Sequence, residues 1–354
     1  MDRIDDTLVL PYLTADLPGI GGVIRSTPED FEVEEIPAYE PCGQGDHLFL
    51  WIEKRGMGTE FLIQELAKQL AISANDVGMA GQKDRHAVTR QMISIPASAE
   101  SRVSALSLND FRVLRVARHT NKLRLGHLHG NRFNVLIRDA VQDQEAVQAI
   151  AAKIQALGLP NFYGEQRFGR DGATLEAGLQ LLRGERLARR PSHYFRKLAL
   201  SSVQSWLFNR YLIDRMADGK MRTVLQGDVL AKWPAGGMFV STQPVVDQPR
   251  LDSREVVPAG PMFGLKMFPA ATEAAERESA ILQSAGLTIE SFRGFGKLLQ
   301  GTRRHNFVYV DGLRAGWETH GLRLEFSLPA GSYATVLLRE FMKKDQAASN
   351  EFPS

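Results

Sequence analysis

Apolar and polar residues alternate with a period of two from Phe111 to Val116 and again from Asn131 to Arg138, where Phe133, Val135 and Ile137 share one side. That period is the mark of half-buried strands. His47 to Glu53, rich in Phe49, Trp51 and Ile52, reads as a further strand, as does Gln91 to Ile95. Pro28-Glu29-Asp30-Phe31-Glu32-Val33 reads as a turn running into a strand. Two stretches change to helical spacing. Thr59 is placed as the N-cap of a helix that carries Phe61, Leu62, Leu66 and Leu70 on one face. Val147, Ile150, Ile154 and Leu157 form a second apolar stripe, with Gly158 positioned to end it. Between these helices Val77 to Gly81 reads as a short apolar strand arriving at a tight glycine turn. Up to Gly158 the pattern is that of one mixed α/β unit.

Beyond Gly158 the texture changes. Pro160 to Arg170 crowds glycine, proline, aromatic and arginine residues together, which suits an ordered loop. A helix is predicted around Ser202 to Met216, β structure with loops over roughly Val224 to Phe268, and another helix over about Glu273 to Ser284. Strand texture returns in Phe307 to Val310 and Leu322 to Phe326, and Pro329-Ala330-Gly331-Ser332 introduces a last helix from Tyr333 to about Met342.

Composition narrows the class. At 354 residues the chain is long for one domain, and 44% hydrophobic with 24% charged residues is ordinary for a globular protein. No run approaches the roughly 18 apolar residues a membrane span needs. The N-terminus carries Asp2, Asp5 and Asp6 rather than a basic-then-apolar export pattern. Cys42, the single cysteine, excludes an internal disulfide and a thiolate zinc cluster. A reducing cytoplasm is the expected location.

Net charge is only +2, but its distribution is uneven. Arg112, Arg115, Arg118, Lys122, Arg124, Arg132 and Arg138 occur with no acid between Phe111 and Arg138. Arg183, Arg186, Arg189, Arg190, Arg196 and Lys197 form a second group, and Arg293, Lys297, Arg303 and Arg304 a third. Segregation of this kind can present a cationic face to a polyanion. His127 and His129 have alternate-strand spacing but no third ligand at a suggestive distance, so with His119 they are assigned to the basic face and not to a metal.

The segment with the strongest chemical character is Gly81-Gln82-Lys83-Asp84-Arg85-His86-Ala87-Val88-Thr89. A carboxylate on a glycine-turned strand end can be held rigidly and still be reached. An ionised aspartate can act as a nucleophile toward a carbon that bears developing positive charge, such as an anomeric carbon. Lys83 and Arg85 flank Asp84, but adjacent residues on extended backbone face opposite ways. They are assigned to the phosphates of a polyanionic partner, together with Arg118, Lys122, Arg124 and Arg132, and not to Asp84. Composition alone favours a solvated turn aspartate.

Gly81 to Thr89 resembles the catalytic segment of the tRNA pseudouridine synthase D family, named for uridine-13. Four further blocks resemble the same family in the same order. These are Pro28 to Phe31; Lys122 to Gly126 with Gly130 to Phe133; Gly158 to Gly169; and Phe326 to Ser332. Between about Val224 and Arg293 there is no landmark of the family. The resemblance implies that Asp84 is the nucleophile and that Phe31, Asn131 and Phe326 line the pocket of the target nucleoside. Arg25, six residues before Phe31 where the family often carries lysine, becomes the candidate cation for Asp84.

The resemblance also implies a mixed α/β (α+β) fold. A catalytic domain with a largely antiparallel sheet flanked by helices would take residues 1–157 and 304–354, interrupted by an inserted α/β domain at 158–303, with tRNA between the two. Conversion of uridine to pseudouridine conserves atoms, so neither cofactor nor metal is called for. The expected protein is a monomer with tRNA as its partner. The competing readings are a catalytically silent tRNA-binding protein or RNA chaperone, and an aspartate-dependent glycosidase of free nucleosides.

Overall fold

The computed structural model describes residues 8–187 and 190–343; Arg189 of the second basic group lies outside them. In chain order come β1 (Gly21–Val23), β2 (Phe31–Pro37), β3 (His47–Arg55), α1 (Thr59–Gln69), β4 (Gly78–Met79), β5 (Val88–Pro96), α2 (Glu100–Val103), β6 (Phe111–His119), β7 (Leu128–Ala140) and α3 (Gln144–Leu157). They are followed by β8 (Leu159–Pro160), α4 (Ala173–Leu182), α5 (His193–Ala217), β9 (Val229–Lys232), β10 (Met238–Val240), α6 (Pro244–Asp252), β11 (Val256–Met262), α7 (Thr272–Ser284), β12 (Thr302–His305) and β13 (Phe307–Val308). The described chain ends with β14 (Asp311–Glu318), β15 (Gly321–Pro329) and α8 (Ala334–Met342). No helix among the described residues is long and apolar enough to cross a membrane.

Two compact units result. One is built on Asp16–Gln155 and Val310–Ala334 and contains a nine-stranded sheet in the order β14-β15-β7-β2-β5-β3-β6, with β1 paired to β7 and β4 to β5. Every pairing in it is antiparallel except β2 with β5. Period-two alternation sends Leu48, Leu50 and Ile52 of β3 and Ile93 and Ile95 of β5 to one face, where Leu62 and Leu66 of α1 and Leu70, its C-cap, cover them. The other face buries Phe49, Ala80, Met92 and Leu123. Gly130 is required where β7 meets β15, because a Cβ there would stand 2.2 Å from the carbonyl oxygen of Leu328. Gly158 ends α3 at φ +81°, as the apolar stripe predicts.

The second unit is built on Ala156–Tyr309. It holds a four-stranded sheet in the order β10-β9-β11-β12, the short pair β13-β8, and the 25-residue helix α5, which buries Trp206, Leu207, Phe208, Tyr211 and Leu212.

Several expectations change. Gly58, not Thr59, is the N-cap of α1, and the Thr59 hydroxyl turns instead to the backbone of Lys83. Phe61 stands on the open side of that helix, 56% exposed. The Gly/Pro-rich stretch after Val224 contains α6, which begins at Pro244 and tolerates Pro249 within it. Phe307–Val308, which its texture grouped with the last catalytic segment, pairs with Leu159–Pro160 in the second unit. Strand pairing with the nine-stranded sheet resumes only at Asp311.

Candidate active site

Pairing register brings distant residues into rows across one face of the nine-stranded sheet. Lys54 lies opposite Thr89, Thr89 opposite Val33, Val33 opposite Phe133 and Phe133 opposite Phe326. In the neighbouring rows Glu35, Asn131 and Leu328 align, and Phe31 pairs with Val135. Side chains in register on a sheet share a face, so Phe31, Asn131 and Phe326 are gathered there from three separate strands. Phe133 joins the two expected aromatics. Its ring stacks on Phe326 at 5.1 Å and meets Phe31 edge-on at 6.2 Å.

Asp84 lies in the irregular stretch between β4 and β5, which is tied down along its length. Gly126 N donates to Ala80 O (2.8 Å), and Gly56 N donates to Ala87 O (3.2 Å). Thr59 Oγ1 accepts from Lys83 N (3.1 Å) and donates to Lys83 O (3.2 Å). Lys54 Nζ donates to Asp84 O at 3.1 Å. On this fixed backbone the Asp84 side chain stays 43% exposed, and Arg25 Nη2 lies 2.7 Å from its Oδ2. Arg25 follows β1 in the left-handed region (φ +63°), which is uncommon for a residue with a side chain. Its guanidinium centre sits 4.2 Å over the Phe31 ring, and its buried Nε has no partner.

The structure treats the expected RNA contacts unequally. Arg85 is exposed beside Asp84. Lys83 is not available to a phosphate: its Nζ lies 2.8 Å from Glu35 Oε2, and both side chains are buried. Glu35 Oε1 also accepts from Met92 N. The alternation that turns Asn131 inward sends Arg132 to the opposite face, where it pairs with Glu34 at 3.0 Å. Arg118 pairs with Glu100, and Lys122 Nζ reaches Asn75 O. Surface ion pairs of this kind are worth about 0–1 kcal/mol and are readily exchanged. Lys122 and Arg124 line a hollow of about 460 Å³ with Tyr39, Glu40, His119, Asn121 and His127. There Tyr39 Oη lies 2.8 Å from His127 Nδ1, and Cys42 N donates to His119 Nδ1. In the second unit the third basic group is partly spent on structure: Arg303 is buried against Glu278, and Arg304 donates to Asn161.

Phe31 and Phe326 are each only 1% exposed. Buried to that degree, they form an apolar floor and not open platforms. What the floor offers a ligand is unmet polarity. Asn131 Oδ1, Thr89 Oγ1 and both amide atoms of Gln91 are buried without a hydrogen-bond partner. Buried polar groups are seldom left so. Sequence reasoning passed over Lys54, Glu35, Thr89 and Gln91, although a signal existed. Each continues an otherwise apolar period-two register: Leu48-Leu50-Ile52-Lys54, Phe31-Val33-Glu35, and Thr89-Gln91-Ile93-Ile95.

A family-wide sequence profile described as tRNA pseudouridine synthase D (TruD) matches residues 8–189 and 188–341. A tRNA pseudouridine synthase D of Anaeromyxobacter dehalogenans (strain 2CP-C) is 44% identical over 346 residues, spanning 97% of this chain and 99% of that one. The protein of that name from Thermus thermophilus is 41% identical over 334 residues, 94% of this chain and 92% of its own. A crystal structure from Methanosarcina mazei, provisionally described as a tRNA pseudouridine synthase D, superposes with a TM-score of 0.75 at 25% identity, covering 95% of this chain and 96% of the other. With the five sequence blocks and the fold in agreement over nearly the whole length, the chain belongs to the tRNA pseudouridine synthase D family.

Proposed function

We propose that this protein isomerises uridine to pseudouridine in tRNA, at the position 13 for which the family is named, with Asp84 as nucleophile. The observation that carries the assignment of Asp84 is its exposed carboxylate on a backbone tied down on both sides, with Arg25 at 2.7 Å. Arg25 reaches one carboxylate oxygen of a side chain that stays exposed, and an aspartate so held can act on the sugar. In the reaction the N1–C1′ bond breaks while Asp84 meets the positive charge that develops on the sugar. The uracil turns, C5 bonds to C1′, C5 gives up its proton, and N1 ends as N–H, so that no atom is gained or lost.

The target base must leave its stack, at a cost of a few kcal/mol. The unpartnered Asn131 Oδ1 supports a role for Asn131 in recovering part of that cost, since it can accept the uracil N3–H. Phe31, Phe133 and Phe326 form an apolar base that excludes water from the detached ring. Arg85, Arg118, Lys122 and Arg124 supply phosphate contacts, whose summed effect is salt-sensitive. The protein acts as a monomer in the cytoplasm.

The test is pseudouridine mapping of tRNA incubated with wild type and with Asp84→Asn, alongside tRNA binding. Wild type is expected to modify one uridine, and the variant to bind tRNA but leave it unmodified. Isomerisation by Asp84→Asn removes the nucleophile assignment, and tRNA binding without modification by wild type would make the protein a silent binder.

A further inference from the structure

Lys54 ends the apolar row of β3 and is fully buried. Its neighbours in register, Thr89 of β5 and Phe111 of β6, carry no charge. Its Nζ donates to two backbone carbonyls, Met57 O in the turn before α1 and Asp84 O. No carboxylate among the described residues forms an ion pair with it. Other buried cations of the molecule are matched differently: Lys83 has Glu35, Arg215 has Asp228, and Arg303 has Glu278. A buried ammonium without a counter-ion is costly. Its retention beneath the one exposed carboxylate of the site calls for a reason.

The geometry supplies one. The charge that favours the Lys54 ammonium is the carboxylate of Asp84, reached through the residue's own backbone. Arg25 takes the carboxylate from outside, and Lys54 takes the carbonyl from inside. The same ammonium joins Asp84 to the Met57 turn, while Thr59 at the start of α1 grips the preceding residue. We propose that Lys54 is a positioning residue for the nucleophile, a clamp that fixes the Asp84 backbone and leaves the carboxylate one aim. This rests on the reading of Asp84 as nucleophile.

The clamp titrates. Burial pushes the Lys54 ammonium down to about 8, with the Asp84 carboxylate opposing the fall and the Lys83 ammonium adding to it. Behind those two stand Arg25 on Asp84 and Glu35 on Lys83. The positive charge is therefore present below about pH 8 and lost above it.

Two readouts test the proposal: single-turnover isomerisation, and amide exchange over residues 81–87, which needs no activity. Lys54→Met keeps the bulk of the stem and removes charge and donors. It is expected to slow the reaction by about 100-fold, the scale of a misplaced catalytic group, with tRNA affinity unchanged. Exchange in 81–87 should quicken by about tenfold while the rest of the sheet stays protected. The wild-type rate should fall as pH rises through about 8, and that limb should be missing from Lys54→Met. A folded Lys54→Met with wild-type exchange and rate overturns the clamp. If Lys54→Met does not fold, wild type decides alone: exchange in 81–87 that fails to rise above its intrinsic pH trend beyond pH 8 overturns it. A wild type that makes no pseudouridine would sink the proposed function, while the exchange result still decides the clamp.

Discussion

Two arginine–aspartate pairs in this molecule have nearly the same closest contact and opposite surroundings. In the second unit Arg215 and Asp228 meet at 2.6 and 2.8 Å, with side chains 0% and 3% exposed. Arg215 also donates to Lys220 O, Tyr211 Oη and Thr223 O, and Asp228 accepts from Leu225 N. Each strong donor and acceptor is used. In the first unit Arg25 and Asp84 share one contact of 2.7 Å, Arg25 Nε is unpartnered, and the carboxylate is open to solvent. A pair that serves the fold uses up its hydrogen-bonding capacity inside the protein. The Arg25–Asp84 pair leaves part of its capacity unused.

The comparison is broken most directly by removing each acid. Asp84→Ala is expected to abolish isomerisation, by at least about 1000-fold, yet to move the urea midpoint little, within about 0.5 kcal/mol for an exposed site. Asp228→Ala strands a buried guanidinium and is expected to cost about 3–5 kcal/mol, leaving turnover per folded molecule near wild type. Equal stability losses would erase the distinction. Next in size is the cation: Arg25→Ala should lower the single-turnover rate by about 100-fold, the usual worth of one charge-stabilising donor. Arg25→Lys should recover most of it, since a point charge can still reach one carboxylate oxygen.

Lys83 and Arg85 extend the contrast to neighbours. Arg85→Ala should weaken tRNA binding and flatten the plot of log K against log salt by about one unit. Lys83→Ala should leave that slope alone and, by stranding Glu35, lower stability by about 3 kcal/mol. The opposite assignment of slope and stability would return Lys83 to the RNA surface.

The smallest effect is one of pH. Asp30 is buried, and burial works to raise its carboxyl, but bonds from Arg138 and the Thr27 backbone outweigh that and hold it below 3.8. A depressed carboxyl contributes stability that is present above the unfolded value and fades as pH falls through the folded one. Glu278 is held above 4.5, with burial the leading cause and Arg303 opposing it, so its linkage runs the other way, costing stability as pH rises past 4.5. Urea midpoints from pH 5 down to 2 should show a shallower acid loss in Arg138→Met than in wild type.

Much of the frame was legible beforehand because the period-two and 3.6-residue patterns are local. Strands at His47, Gln91, Phe111 and Asn131 and the stop at Gly158 follow from neighbouring residues alone. What joins Phe31, Asn131 and Phe326 is register across β2, β7 and β15, which no window of sequence contains. Their selection therefore rested on resemblance. Lys83 misled for the same reason: its partner Glu35 is 48 positions away, so the charge looked solvated. A separation of 24 positions likewise hid the role of Thr59, whose place at a helix start suggested capping while its hydroxyl serves residue 83.

Lys54 also bears on how this chain would respond to selection. Depressing an ammonium from 10.5 to about 8 corresponds to roughly 3 kcal/mol of unfavourable burial. Against it stand two carbonyls that would lose a donor, at about 1–3 kcal/mol. A methionine at that position therefore faces little thermodynamic penalty, and a screen that rewards heat resistance alone has no reason to keep the lysine. Stabilised lineages obtained without an activity filter are expected to lose it early, and with it the aim of a carboxylate that the substitution never touches.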